Sequence, residues 1–325
     1  MSLTVGQVTA LTVKGIDSEG GVKDAIFKNH AYLKRLKAKE GIYSGEKKTF
    51  PFNYLDDAST TGSYYQGAEN LTLDMYDPLT ELSFDLIELQ ESLVITHRDL
   101  ARNSGKEARL NLIQERLKLM ETSMRQRFTK GIFSDGTAAT GALTTKQFPG
   151  IQAFLKSSSV NYGGVTDTDV SVHVAYVNSN SGTARALTTA LHQATLGGSS
   201  EGEEKPSVVI MRQNVMNEMI ELIKPHQRTT RESTLNGLGH SSDTNTLVYS
   251  GIDHIIDNLA PTASMAFLNE KFVRLYTHPE YNMKRVQKED LETMDAMLQR
   301  LYWKGVYACS VLRFNGWLKD LTVSA

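Results

Sequence analysis

The sequence predicts an α+β fold, and three observations predict it. One amphipathic pattern, residues 105–130, keeps helical spacing far longer than most helices do. Short strand patterns stand on either side of it, at Leu82–Leu86, Val208–Met211 and Val306–Phe314. Between Phe50 and Leu86 the chain reads as a two-stranded excursion that leaves the core and comes back.

The totals bound what such a fold can do. With 325 residues, 40% hydrophobic and 22% charged, the chain has ample material for a core and is not of disordered composition. A formal net charge of -2 excludes a nucleic-acid condenser, which needs a large positive excess to displace phosphate counterions. The single cysteine, Cys309, allows neither an internal disulfide nor a cysteine-rich zinc site, and it fits a reducing compartment. Residues 1–20 lack the basic head and apolar run of a signal peptide. No stretch reaches the roughly 18 apolar residues of a membrane helix, so no membrane partner is expected.

Taken in order, residues 1–20 show no clear periodicity. Residues 21–40 read as a helix, with Val22, Ile26, Tyr32, Leu33 and Leu36 on one face and Gly41 ending it. Phe50-Pro51-Phe52-Asn53-Tyr54 alternates like a strand, and Pro51 confines it to an edge or a protruding arm. Residues 56–70 are polar and turn-rich, and strand pattern returns at Leu82-Ser83-Phe84-Asp85-Leu86. Two strands alone are marginal in water, so the excursion should rest on a neighbour. The long helix opens on a Ser104-x-x-Glu107 capping box and carries Ile113, Leu117, Met120, Met124 and Phe128 at helical spacing. At 1.5 Å per residue it would run roughly 39 Å.

Beyond Gly131 the chain is loop-rich, with short strands expected near Val170–Val177 and a helix at 184–196. Gly197–Lys205 reads as a polar linker and a domain boundary. Val208–Met211 reads as a buried strand and Asn214–Lys224 as a helix stopped by Pro225. His226–Thr246 is a long polar stretch of the kind that is usually functional. Strands resume at Leu247–Tyr249, Ile252–Ile256, Met265–Leu268 and Val273–Tyr276, and the apolar run Val306–Phe314 suits a packed strand. There is no internal repeat.

Charge is unevenly spread. Between Thr49 and His97 there is no Lys or Arg, yet Asp56, Asp57, Glu69, Asp74, Asp77, Glu81, Asp85, Glu88 and Glu91 all fall there. Residues 98–130 and 21–48 are each net +5. Complementary fields of this kind steer docking and set register, although surface charges mostly do no more than solvate a face.

Candidate chemistry is weak throughout. Gly198-Ser199-Ser200-Glu201-Gly202 matches Gly-x-Ser-x-Gly, but a nucleophile elbow needs a strand before it and a helix after, the reverse of the order here. Gly237-Leu238-Gly239 has neither a leading strand nor a following lysine. The eight histidines (His30, His97, His173, His192, His226, His240, His254, His278) include no His-x-x-x-His pair. Glu201, Glu203 and Glu204 lack the ladder of a calcium loop. Asn70-Leu71-Thr72 is a glycosylation sequon, irrelevant in cytoplasm. Tyr64-Tyr65 sits among acids, against nucleic acid. The Met120/Met124 stripe reads as helix core. No catalytic, cofactor-binding or metal-binding residue is assigned, no cofactor is expected, and the chain is not read as an enzyme.

The succession of elements then carries a resemblance. Tyr65-Gln66-Gly67-Ala68-Glu69, Ile95–Glu107 leading into the long helix, Phe133–Thr137, Pro149-Gly150-Ile151 and Gly251–Asn269, in this order and spacing, resemble the major capsid proteins of tailed bacteriophages. That shell fold is shared with encapsulin nanocompartments and herpesvirus capsid floors. The resemblance spans almost the whole chain. It implies an N-terminal arm and helix (1–48), an extended β-hairpin loop (49–86), a peripheral domain (87–205) with spine helix 105–130, an axial domain (206–276), and a return to the peripheral domain (277–325). It implies hexamers and pentamers of the chain tiling an icosahedral phage head around double-stranded DNA, which is touched non-specifically. A portal, a separate scaffolding protein and a decoration protein would be partners, and assembly would take place in the host bacterial cytoplasm. Some members carry a cleaved N-terminal scaffold segment. This chain starts almost at the arm, which leaves a separate scaffold or a processed form. Other members crosslink through a lysine on the extended loop; from Thr49 to the end of the loop there is none here. An encapsulin-like shell, a hydrolase using Ser200 and a monomeric binding protein are the rival readings.

Overall fold

A computed structural model describes residues 31–53, 66–68, 79–102, 106–136, 149–168, 170, 173–223, 239–240, 246–288 and 295–322. The first half of the helix expected at 21–40, the Ser104 cap, Tyr64-Tyr65, Asn70-Leu71-Thr72, His30, His226 and most of the 226–246 stretch lie outside the described residues.

Helix α1 (Ala31–Ala38) buries Tyr32, Leu33 and Leu36, the apolar face read from the sequence. Strand β1 (Gly41–Ile42) follows. The excursion is an antiparallel hairpin of β2 (Lys47–Asn53) and β3 (Leu79–Asp85), with Phe50 opposite Leu82 and Pro51 opposite Glu81. Pro51 is tolerated because β2 has β3 as its one partner strand among the described residues. β4 (Ile87–Thr96) then runs through α2 (His97–Arg102) into the spine α3 (Lys106–Ile132). At 27 residues α3 is more than twice the usual helix. Met120, Met124, Phe128 and Ile132 are buried at helical spacing, so the sequence pattern and the packed face coincide.

Short elements follow: α4 (Ile151–Phe154), β5 (Asn161–Tyr162), β6 (Val165–Thr166), β7 (Tyr176–Asn178) and α5 (Thr189–Gly198), whose N-cap Thr188 accepts a hydrogen bond from the Leu191 amide. Gly150 precedes α4 because nothing larger fits. A Cβ there would lie 2.4 Å from the Ile132 carbonyl oxygen and 2.5 Å from that of Gly131, at the end of the spine. The second half holds β8 (Val208–Met211), α6 (Gln213–Ile223), β9 (Gly239–His240), β10 (Thr246–Tyr249), β11 (Ile252–Ile256), β12 (Met265–Leu268), β13 (Val273–Thr277), β14 (Lys284–Lys288), β15 (Ala296–Cys309) and β16 (Gly316–Leu318).

Two sheets organise these strands. In the first, β15 pairs antiparallel with β4 on one side and with β14 and β13 on the other, and β1 extends β13 in parallel. In the second, the order is β7-β16-β12-β8-β11-β10-β9. The unbroken burial of Val-Val-Ile-Met in β8 follows from its central place. Val208 and Ile210 face the main core, while Val209 and Met211 face a second core under α6 with Val215, Met216, Met219 and Ile223.

The second sheet does not keep to residues 206–276, expected as one unit. Val273–Thr277 pairs with Gly305–Cys309 in the first sheet, and β7 and β16 join the second from outside that range. The polar Gly197–Lys205 stretch closes as a tight turn with a Glu201–Glu204 bridge. The C-terminal strand starts ten residues before the apolar run that signalled it, because Arg300, Tyr302 and Lys304 interrupt its pattern on one face.

Candidate functional site

Several of the described residues singled out for chemistry are engaged in structure. The Ser200 hydroxyl donates to the Leu196 carbonyl at 2.6 Å and that of Ser199 to Thr195 at 2.8 Å, so both sit on the end of α5 as helix-terminal hydroxyls. Of the nearby acids, Glu201 pairs with Arg313 and Glu204 with Lys271. The Lys271 hydrogen bond holds the Glu204 carboxyl below its ordinary value, against the effect of burial. Among the described residues no three His, Cys, Asp or Glu side chains cluster as metal ligands. Cys309 is buried, and burial pushes its thiol up to about 12, where it is neither nucleophile nor ligand. Gly239 lies in β9, while Gly237 and Leu238 lie outside the described residues.

Two histidines from distant parts of the sequence do meet. His192 of α5 and His254 of β11 stack with Nε2 atoms 2.9 Å apart, both fully buried, with Tyr249 and Phe267 around them. The Nδ1–H of His254 donates to the Ile252 carbonyl, which leaves its Nε2 to accept from His192. Burial pushes both down, His192 to about 3 and His254 to about 4, with each histidine held neutral. The pair is a structural hydrogen bond inside the second core.

What the structure does build is a set of attachments that hold the hairpin β2–β3 to the body. At the hairpin root Leu82 and Phe84 are buried, and Phe84 packs on Tyr162 with ring centroids 4.8 Å apart. The Ser83 amide donates to Gly163, at φ +65 in a turn pressed against Leu82 and Phe84. The Lys48 ammonium lies 4.7 Å from the Tyr43 ring, 5.2 Å from Phe50 and 5.0 Å from Tyr276. Three rings around one cation tie the base of the hairpin to the body.

A second attachment ties α1 to both sheets. Arg35 donates from Nε and Nη2 to the two oxygens of Glu270, each at 2.8 Å, and from Nη1 to Asp253 in β11. Lys39 and Ser207 also reach Glu270. Burial alone would raise the Glu270 carboxyl, but the hydrogen bonds from Arg35 and Lys39 outweigh it and hold it low. On the apolar side of α1 the Tyr32 and Tyr307 hydroxyls share a buried hydrogen bond of 2.7 Å. The 235-residue separation of Arg35 and Glu270 left no local signal in the sequence.

The acidic run and the basic spine meet within one chain at their near ends. Glu91 accepts from Ser123 and pairs with Arg127, Glu88 pairs with Lys304, and Asp85 with Lys47. Arg116 pairs with Asp99, and Arg285 of β14 with Glu121 of the spine. The far part of the acidic run, Asp56 to Asp77, lies outside the described residues.

Comparison with known proteins places this architecture. The sequence profile of the SU10 major capsid protein family matches residues 90–302. No curated protein sequence matches. Among solved structures, the capsid asymmetric unit of cyanophage A-1(L) superposes with a TM-score of 0.68 at 13% identity, over 93% of this chain and 95% of that one. The encapsulin of Synechococcus elongatus PCC 7942 follows at 0.58 and 12% identity, over 100% and 98% of the two chains. The capsid of an empty GTA particle gives 0.57 at 13% identity, over 94% of each. At these identities the structures speak for the fold, and the profile, which spans well over half of the chain, speaks for the family: the protein belongs to the SU10 major capsid proteins and is a structural component of a phage capsid.

Proposed function

We propose that the chain is the repeating subunit of an icosahedral phage head. It assembles as hexamers and pentamers into a shell around double-stranded DNA, through non-covalent contacts and without catalysis. The observation that carries this reading is the rooted hairpin β2–β3. Its base is clamped to the body by Lys48 and its three rings, while the chain between Asn53 and Leu79 holds Asp56, Asp57, Glu69, Asp74 and Asp77 without a Lys or Arg. A fixed root with a long acidic extension suits a contact with another subunit, and the net-positive segments 21–48 and 98–130 offer it a surface. Residues 1–48 act as the arm, 49–86 as the extended loop, and the first and second sheets as the centres of the peripheral and axial domains. Closed symmetry makes many modest contacts cooperative. A separate scaffolding protein, a portal and a decoration protein complete the partners, the basic N-terminal segment touches DNA or scaffold, and assembly occurs in the cytoplasm of the host bacterium.

The test is negative-stain electron microscopy of the purified chain after size-exclusion chromatography, with and without a co-expressed scaffold candidate. Closed shells, rings or capsomer-sized tubes are expected, and their yield should fall as salt rises because exposed charges are screened. A persistent monomer under all conditions would overturn the reading. The fold likeness to encapsulin supports a second reading, a nanocompartment shell. Small uniform shells that co-purify with a cargo protein and never with DNA would favour it.

A further inference from the structure

Most strand edges among the described residues are guarded against pairing with another chain. β1 and β9 are two residues long and β7 three. β2 carries Lys47, Lys48 and Pro51, and β14 reads Lys-Arg-Val-Gln-Lys. Shortness, charge (lysine above all), proline and a covering helix protect the edges of natural sheets. β4 is neither short nor interrupted by lysine or proline; its charges are Glu88 and Glu91, and among the described residues the spine reaches its outward backbone through Arg116 alone. It is ten residues long, contains no Lys, Arg or Pro, and holds an unbroken ten-residue register with β15 on one side. On its other side no described strand pairs with it.

Three hydrogen bonds establish which backbone groups point to that open side. The His278 amide donates to the Lys304 carbonyl, so the even-numbered residues of β15 turn their backbone toward β13 and β14. The odd-numbered ones therefore face β4, and the His97 amide bonded to the Asp295 carbonyl continues that odd-to-odd pairing. From the open side, Arg116 of the spine reaches the Val94 carbonyl at 3.4 Å. Glu88, Gln90, Ser92 and Val94 thus aim N–H and C=O away from β15, and all four residues are exposed. Among the described residues, Arg116 on Val94 is the one contact recorded for these outward groups.

We propose that this edge of β4 is a strand-addition site, filled by the N-terminal segment of a second copy of the chain. The assignment rests on the assembly reading above and names one contact of it. Residues 2–13 hold Thr4, Val5, Val8, Thr9, Thr12 and Val13 and no charged residue, a composition that favours an extended strand. Residues 14–30 separate them from α1; with 14–20 extended and 21–30 continuing the expected helix at 1.5 Å per residue they span roughly 38 Å, enough to reach a neighbour. Composition selects this segment over the chain's other long stretch, which from Asp56 to Asn70 is polar and turn-rich, whereas residues 2–13 are rich in β-branched residues. Main-chain hydrogen bonds then supply affinity, and the alternating side chains set register.

Ser92→Pro tests the edge itself. It removes an outward N–H and blocks strand addition, while the odd-numbered pairing with β15 is untouched. The full chain and the variant are compared by far-UV circular dichroism and by shell yield in electron microscopy. A fold like the wild type's with at least a tenfold loss of shells is expected. A second measurement pairs a Ser92→Cys chain with a differently tagged Thr9→Cys chain under oxidation, Cys309 being buried; a disulfide between the two tags is expected, and it decides the matter if the proline variant fails to fold. Shells from Ser92→Pro at wild-type yield overturn the proposal and leave the assembly reading standing, whereas a wild-type chain that forms no shells sinks both. Assembled shells that show no disulfide between the Thr9→Cys and Ser92→Cys chains overturn it, as does capture of the Ser92→Cys chain by a co-expressed scaffold alone.

Discussion

Acid should loosen the second core through the His192–His254 pair. Both rings are held neutral in the folded chain, near 3 and 4, against about 6.5 in an unfolded one. Their folded values are depressed, so the stabilisation is fully present above pH 6.5. It declines as pH falls from there toward 4, because the unfolded chain takes up the protons that the folded chain refuses. At pH 4.5, two units below the unfolded value, the loss is about 3 kcal/mol for each histidine at most. The two share one hydrogen bond and titrate as a pair, so about 3–5 kcal/mol is the working figure. The proton has no good place to go: His192 Nδ1 is buried without a hydrogen-bond partner among the described residues. Urea unfolding of the unassembled subunit at pH 7.5, 6.5, 5.5 and 4.5 would measure the effect against His192→Leu/His254→Leu. Carboxylate protonation is common to both proteins and cancels. The wild type should lose about 3–5 kcal/mol more than the double variant across this range. Parallel curves within about 0.5 kcal/mol would refute the reasoning.

Three further outcomes follow from the packing. Glu270→Ala strands Arg35 and Lys39 at the junction of the sheets; with Arg35 about a third exposed, a loss of about 2 kcal/mol in urea unfolding is expected, below the cost for a fully buried pair. Gly150→Ala drives a Cβ against three backbone carbonyls at the end of the spine and should give insoluble or heat-labile protein in a thermal melt, since no side chain can yield there. Cys309 should react with a thiol reagent in denaturant and stay silent in native buffer, because the thiol is buried and held up near 12.

Legibility in the sequence tracked the length of each periodic signal. Met120, Met124 and Phe128 announced the spine because a helix of that length repeats its pattern many times, and all three are buried. Leu82 and Phe84 announced the return strand by alternation. Val208–Met211 announced a central strand by unbroken apolarity. β16 was illegible because three residues carry no period, and β7 was foreseen only as a short strand near Val170–Val177; both extend the second sheet across a domain boundary read from composition. The Glu201–Glu204 turn misled for a related reason. Its Gly, Ser and Glu look like linker, and the Arg313 and Lys271 that fasten it lie more than sixty residues away. The histidine pair, the Arg35 clamp and the ring cage of Lys48 share this property, being made by partners that sequence distance hides. The local order around Ser200, helix before and strand after, was legible and is the order seen.

The attachments divide by physical type, and the division matters for a subunit that must fold before it assembles. The hairpin root is held by aromatic packing and by a cation enclosed among Tyr43, Phe50 and Tyr276. Partly desolvated contacts of this kind respond weakly to salt. The junction of the sheets rests on Glu270, only 6% exposed, and on the buried Tyr32–Tyr307 hydrogen bond. The ion pairs at the chain's surface, Glu88–Lys304, Glu91–Arg127 and Asp85–Lys47, each have at least one well-exposed partner and contribute little to the fold. A subunit built this way keeps its fold at ionic strengths that screen exposed charges. If the acidic extension meets a neighbour as proposed, folding and association are separable, and a change of salt reverses the second while leaving the first intact.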